Sequence, residues 1–322
     1  MEVFENSISG IVVILLMILL GYFLARRQWF NEQSAKLVAK IVTQVALPAY
    51  MISTITSKFT AKTLLHTLPD LRFPVISMLI LFALSVAVAR ALRIAKYHRG
   101  LFESMFFNSN TVFVGLPVNL ALFGSRSLPY VLVYYMANTT FFWTLGVYLI
   151  QRDGDADSKF SLKQTAQKVF SPPLLGFIIA VILVLLDVKQ VKLIAPVLTP
   201  VLKSCDYVGG LTIPLSMMFI GIAVAKVKLS QFRFDRLNWG ILLGRFILAP
   251  LLMTLLVTFT DMPILMKQVF ILQSAMPVMT NAPVVSKLYN ADSEYASVMV
   301  TETTLLSLVI IPILMTLVQN FR

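Results

Sequence analysis

Long apolar blocks separated by short polar turns run the length of the chain, each block near the ~20 residues that a membrane-crossing helix needs. Read in order, they predict ten spans, at 8–25, 34–55, 73–92, 99–123, 127–150, 171–187, 200–222, 237–259, 265–290 and 294–318. The fourth and ninth blocks are interrupted by polar, helix-breaking runs, Asn108-Ser-Asn-Thr-Val-Phe-Val-Gly-Leu-Pro117 and Ser274-Ala-Met-Pro-Val-Met-Thr-Asn-Ala-Pro283. The interruptions are equivalent: one constant offset relates Pro117 to Pro283, Pro48 to Pro214, Gly10 to Gly176, Gly124 to Asn290 and Ser127 to Ser293. Such an offset predicts a duplicated five-span half, 1–150 and 169–322, joined by the polar linker 151–168. An odd number of spans per half forces opposite insertion, so the copies are inverted repeats and the broken spans cross.

The stretch from Arg99 to Asn108 is roughly 15 Å of helix, about half the hydrocarbon thickness, so the first break falls at the bilayer centre. Its freed N–H and C=O groups must line protein or a watery cavity rather than lipid. Paired broken helices in inverted repeats are the sequence pattern of a solute carrier.

Composition narrows the class. A chain of 322 residues that is 58% hydrophobic and 13% charged, with a mean hydropathy of +0.82, lies far outside the range of soluble domains. The net charge of +12 sorts by loop. With the N-terminus outside, most of the 27 Lys and Arg residues fall on the inner loops, among them Arg26, Arg27, Arg90, Arg93, Lys96, Arg152 and Lys159. The positive-inside rule then puts both termini outside the cell membrane and the linker in the cytoplasm. The charge reports topology, and no nucleic-acid partner is expected. The acidic flank Met1–Glu5 argues against a cleaved signal peptide.

Metal, cofactor and hydrolytic chemistry find no support. Cys205 is the single cysteine, His66 and His98 lack ligand-spaced neighbours, and Asp153, Asp155 and Asp157 miss the Gly and Glu of a calcium loop. No metal and no cofactor is expected. An intramembrane enzyme would need a paired acid or a nucleophile–base pair at depth, and a channel would need a ring of like groups around a pore; neither is visible.

Leu47-Pro48-Ala49, Asn110-Thr111-Val-Phe-Val-Gly115-Leu-Pro117, Met276-Pro277-Val-Met-Thr280-Asn281-Ala and Leu305-Leu-Ser-Leu-Val-Ile-Ile-Pro312 together resemble the auxin efflux carrier family, closest to its bacterial malate permeases. The resemblance covers essentially the whole chain. It implies an all-α membrane fold of ten helices in two inverted repeats with crossing helices 4 and 9. Helices 1, 2, 6 and 7 would form a scaffold and homodimer surface, and helices 3–5 and 8–10 a moving transport domain. The implied activity is transport of organic anions, malate or a similar carboxylate, with export of an aromatic, auxin-type anion as the alternative. Phe106, Phe107 and Phe113 keep that alternative open.

The candidate site follows from the breaks. Half-helices starting near Pro117 and Pro283 would turn positive N-termini toward the midplane, an arrangement suited to a carboxylate. Asn108, Asn110, Thr111, Thr280 and Asn281 add neutral donors and acceptors, or else satisfy the freed backbone, while Gly115, Pro117, Pro277 and Pro283 set the breaks. Arg245, inside span eight, could clamp a carboxylate through two parallel hydrogen bonds or pair with Glu302. Glu302, inside span ten, departs from the small or neutral residue more common in the family; it is a candidate proton-coupling carboxylate or the partner of Arg245. Lys287 is expected at the inner surface, and Glu103 near the cytoplasmic start of span four. The run Ser274–Pro283 holds no carboxylate, which disfavours a sodium site.

Overall fold

The computed structural model describes residues 2–154, 170, 172–188, 195–225 and 235–319, so most of the expected linker lies outside the described residues. These residues are helical with short connections, and the one β-bridge joins Ser109 to Val278. In chain order the helices are α1 Glu2–Arg26, α2 Glu32–Ile41, α3 Leu47–Lys58, α4 Ala61–Thr67, α5 Arg72–Ala91, α6 Lys96–Phe107, α7 Leu116–Phe123, α8 Leu128–Phe141 and α9 Val147–Asp153. They continue as α10 Pro172–Leu185, α11 Ala195–Gly209, α12 Thr212–Ala225, α13 Arg236–Leu243, α14 Ala249–Thr258, α15 Ile264–Ser274, α16 Ala282–Leu288 and α17 Ser293–Gln319.

Six described helical stretches are long and apolar enough to cross a membrane: Gln33–Lys58, Leu64–Ala91, Thr111–Asp153, Pro196–Ala225, Arg236–Thr258 and Ser293–Val318. Val12–Arg26, Pro172–Leu185 and Ile264–Ser274 are shorter apolar helices. The architecture is all-helical and suited to a membrane, as expected, with six long and three shorter apolar stretches among the described residues where the apolar blocks predict ten spans.

Prolines explain several irregularities. Proline lacks an N–H and its ring collides with the carbonyl one turn back. Wide π-type turns at Val42–Ala46, Thr111–Gly115 and Gly244–Leu248 each stand two residues ahead of a proline, Pro48, Pro117 and Pro250. Widening the preceding turn moves that carbonyl aside and lets the helix continue. The seventh apolar block is not continuous as expected: α11 and α12 meet at Gly210–Leu211, where the Gly210 N–H donates to Asp206 O at 2.9 Å and Leu211 N–H to Val208 O at 3.2 Å.

The chain separates into two compact units. The first comprises 1–69, 117–132 and 169–225. Within it α1 packs along α12, and α3 lies against α10 and α11. Gly21 and Gly221 set the first of these contacts: a Cβ on Gly21 would overlap the Met218 backbone, and one on Gly221 the carbonyl of Ile18. The second unit comprises 70–116, 133–168 and 226–322, and holds both chain interruptions. There α6 packs on α5 and α9, α14 on α5 and α15, and α16 on α17.

Polar caps fix the helix starts of the second unit. Asp235 Oδ1 accepts from Asn238 N–H at the start of α13, and Asp292 Oδ1 from Tyr295 N–H at the start of α17, each at 2.9 Å. Asp153, expected as part of a solvated linker, instead turns back onto α6. Its carboxylate accepts from the Gly100 and Leu101 N–H groups at 2.9 and 2.7 Å, in the second turn of α6.

Replacing Gly21 with Val should separate α1 from α12. The expected loss is about 1–3 kcal/mol, the usual range for forced overpacking, seen as a lower melting midpoint in detergent. An unchanged midpoint would contradict the close backbone approach.

Candidate functional site

The two interruptions lie side by side in the second unit. Helix α6 ends at Phe107, Asn108 and Ser109 are extended, Asn110 turns the chain, and helical geometry resumes at Thr111, ahead of Pro117. Helix α15 ends at Ser274, and non-helical chain runs through Pro277 and Met279 to Asn281, with Pro283 in the first turn of α16. Ser109 and Val278 pair as antiparallel strand residues, and the Asn110 N–H donates to Pro277 O at 2.8 Å.

Backbone groups released by the breaks are met by side chains from neighbouring helices. The Asn138 amide, on α8, acts as a strand neighbour for Ser109: Oδ1 accepts the Ser109 N–H at 2.9 Å and Nδ2 donates to its carbonyl at 2.8 Å. Thr303 Oγ1, on α17, accepts the Val278 N–H at 3.1 Å. Asn110 Oδ1 accepts the Phe113 N–H at 3.1 Å and so caps the resumed helix. Gln273 Nε2 reaches Thr111 O at 3.4 Å.

Arg245 joins both breaks. The residue is fully buried, and the wide turn Gly244–Leu248 carries it. Its Nη1 donates to Phe106 O at 3.2 Å, and its Nε and Nη2 to Met276 O at 3.1 and 3.0 Å. A second Nη2 hydrogen bond goes to Ser274 O. Phe106 and Ser274 lie at the C-terminal ends of α6 and α15, where orphan carbonyls carry about half a negative charge per helix. Two such ends facing one guanidinium come close to neutralising it without any carboxylate. Among the described residues Arg245 makes no ion pair.

The expected site residues therefore divide. Asn108, Asn110 and Thr111 are at most 2% exposed and stand at the junction with Pro277 and Arg245. Gly115 closes the wide turn, facing the Gln273 side-chain oxygen. Thr280 and Asn281 lie half-buried at the far end of the second break. Glu302 is buried elsewhere on α17 and accepts from Asn238 Nδ2 at 2.6 Å rather than from Arg245. Lys287 is exposed, and Glu103 is buried with Arg152 at 3.2 Å. Phe106 and Phe107 are packed against Phe102 and Phe82. Asn138, Thr303 and Gln273 were not singled out from the sequence, although an amide or hydroxyl inside an apolar helix was a usable signal.

Some polar atoms at the junction find no protein partner. Asn108 Oδ1, Asn110 Nδ2, Ser104 Oγ and Gln273 Oε1 are buried and unpaired. Such groups are costly unless something else meets them. Among the described residues no group of His, Cys, Asp or Glu is arranged to hold a metal ion.

Replacing Arg245 with Met should leave the carbonyls of Phe106, Ser274 and Met276 without donors. At ~1–3 kcal/mol for each buried unsatisfied group, the melting midpoint should drop sharply. Arg245→Lys should recover only part, because an ammonium lacks the planar fork. A midpoint for Arg245→Met equal to that of the unaltered protein would remove Arg245 from this role.

Comparison with known proteins agrees with this architecture. A family model described as membrane transport protein matches residues 7–315. An uncharacterized transporter of Methanocaldococcus jannaschii is 28% identical over 307 residues, covering 94% of this chain and 95% of that one. Another, from Methanothermobacter thermautotrophicus, is 27% identical, covering 97% and 98%. Matched over nearly its whole length, the chain belongs to the membrane transport protein family, that of the auxin efflux carriers.

Proposed function

We propose that this transporter carries small organic anions, malate or a similar carboxylate, and that the carboxylate binds where the two interrupted helices meet. The observation that carries the reading is the Asn110 amide. Its Oδ1 is spent on the Phe113 N–H, while its Nδ2 is buried with no acceptor in the protein. A buried donor left over at a helix break matches a carboxylate oxygen, and hydrogen bonds to charged groups are the stronger kind. The half-buried side chains of Thr280 and Asn281 at the end of the second break add further donors. Arg245 holds the carbonyl ends of both helices and, in this reading, supplies positive potential rather than a direct clamp.

Transport by alternating access fits the same picture. The first unit carries the regions expected as scaffold, spans 1, 2, 6 and 7, and the second holds most of spans 3–5 and 8–10. Gly124 and Asn290, paired by the repeat offset, both adopt left-handed backbone, with φ of 67° and 55°, which supports inverted five-helix repeats. The charge distribution supports external termini, a cytoplasmic linker and a place in the cell membrane. A homodimer through the scaffold helices completes the proposal. Phe106 and Phe107 are buried within helix packing, so the aromatic-anion alternative rests on Phe113, half-buried beside the first break.

Asn110→Asp tests the site, since it keeps the capping oxygen and exchanges the amide donor for a negative charge. Proteoliposomes loaded with L-malate should show counterflow of labelled malate with the unaltered protein. The variant should lose affinity about 10- to 100-fold, from the ~1.5–3 kcal/mol of a hydrogen bond to a charged group. Counterflow at unchanged affinity in a folded variant would refute the site.

A further inference from the structure

Glu302 is one of the most deeply buried acids of the second unit, 3% exposed, and the carboxylate junction makes no use of it. Its Oε2 lies 2.6 Å from Asn238 Nδ2, and Asn238 is itself 1% exposed with its Oδ1 buried and unpaired. A separation of 2.6 Å lies within the range of an O–H···O hydrogen bond and at the short edge for N–H···O. The amide can therefore serve two proton states. Its NH2 donates to the ionised carboxylate, and a half-turn about the last side-chain bond presents Oδ1 to a carboxyl O–H.

A polar route leads away from this pair. Tyr295 lies seven residues earlier on α17, two helical turns along the same face. It is 5% exposed and its hydroxyl has no hydrogen-bond partner. The charges of Asp235, Asp292 and Glu302 all act on that phenol. Its ring meets the His98 ring at 5.8 Å, and His98 Nδ1 stands 3.7 Å from Asp292 Oδ2. The His98 and Asp292 side chains are 22% and 35% exposed, so the series begins at solvent.

The other charged groups nearby are already engaged or exposed. Glu103 is held by Arg152, and Asp153 by the Gly100 and Leu101 N–H groups. Arg99 donates to Ile94 O, and Glu294 and Lys287 are exposed.

We propose that Glu302 and Asn238 form a proton-binding site, reached from solvent past His98 and Asp292 through the Tyr295 hydroxyl. This rests on the transport reading only for its purpose: a carrier that binds and releases one proton per cycle draws on the proton gradient. A proton from water enters at His98 and Asp292, arrives on the Glu302 carboxylate, and leaves by the reverse steps or to the opposite side once the second unit has moved. No covalent bond other than O–H or N–H changes.

The test needs no transported solute. Infrared difference spectra of the full chain in lipid nanodiscs, recorded after a pH jump, should show a C=O band of a protonated carboxyl group. Glu302→Gln, nearly isosteric, should abolish that band. Tyr295→Phe, which removes only the hydroxyl, should leave its size unchanged and slow its growth several-fold. Asn238→Ala should shift its frequency, because the carboxyl loses its hydrogen-bond partner. A band that persists in Glu302→Gln overturns the site, and growth unslowed in Tyr295→Phe overturns the route. A failure of malate counterflow would leave both results standing, so the two proposals fail separately.

Discussion

A buried guanidinium facing the carbonyl ends of two interrupted helices is the constraint on which the second unit depends. An isolated charge in a low-dielectric interior is expensive, and so is a helix end with unpaired carbonyls. Arg245 offsets both costs at once, because Phe106, Ser274 and Met276 present oxygens to its planar fork. The C-termini of α6 and α15 must meet for one arginine to serve both, and their meeting brings Ser109 beside Val278.

With the carbonyl ends neutralised, the extended segments keep their N–H side satisfied by neutral groups. Asn138, Thr303 and Asn110 act there as backbone substitutes. That division leaves the surplus at the junction in amide and hydroxyl atoms rather than in fixed charge. Under the proposed function, such a neutral junction backed by a buried cation would attract an anion without holding a permanent partner of opposite charge.

Much of this was legible in the sequence. The apolar blocks announce helices, and Pro277 with its polar neighbours announces a break, because neither feature depends on distant contacts. The repeat offset paired Gly124 with Asn290, residues that tolerate left-handed backbone. Tertiary partners were less visible. Arg245 read equally as a ligand clamp or as the mate of Glu302, since a sequence does not say which backbone carbonyls will lie near a guanidinium. Asp153 read as linker because its partners, Gly100 and Leu101, are remote in the chain. The wide turn ahead of Pro117 moved the resumption of helix back to Thr111, a shift that arises from ring–carbonyl sterics and Asn110 capping rather than from periodicity.

Cross-linking tests the meeting of the two breaks most directly. Opposed residues of an antiparallel pair lie about 4.5–5.5 Å apart at Cα, inside the span of a disulfide. In a chain with Cys205 replaced by Ser, cysteines at 109 and 278 should be blocked to a thiol reagent added after denaturation if the folded protein is first mildly oxidised, and open to it again on reduction, while either cysteine alone stays open after the same treatment. Two thiols that remain free under oxidant in the folded double variant would contradict the account.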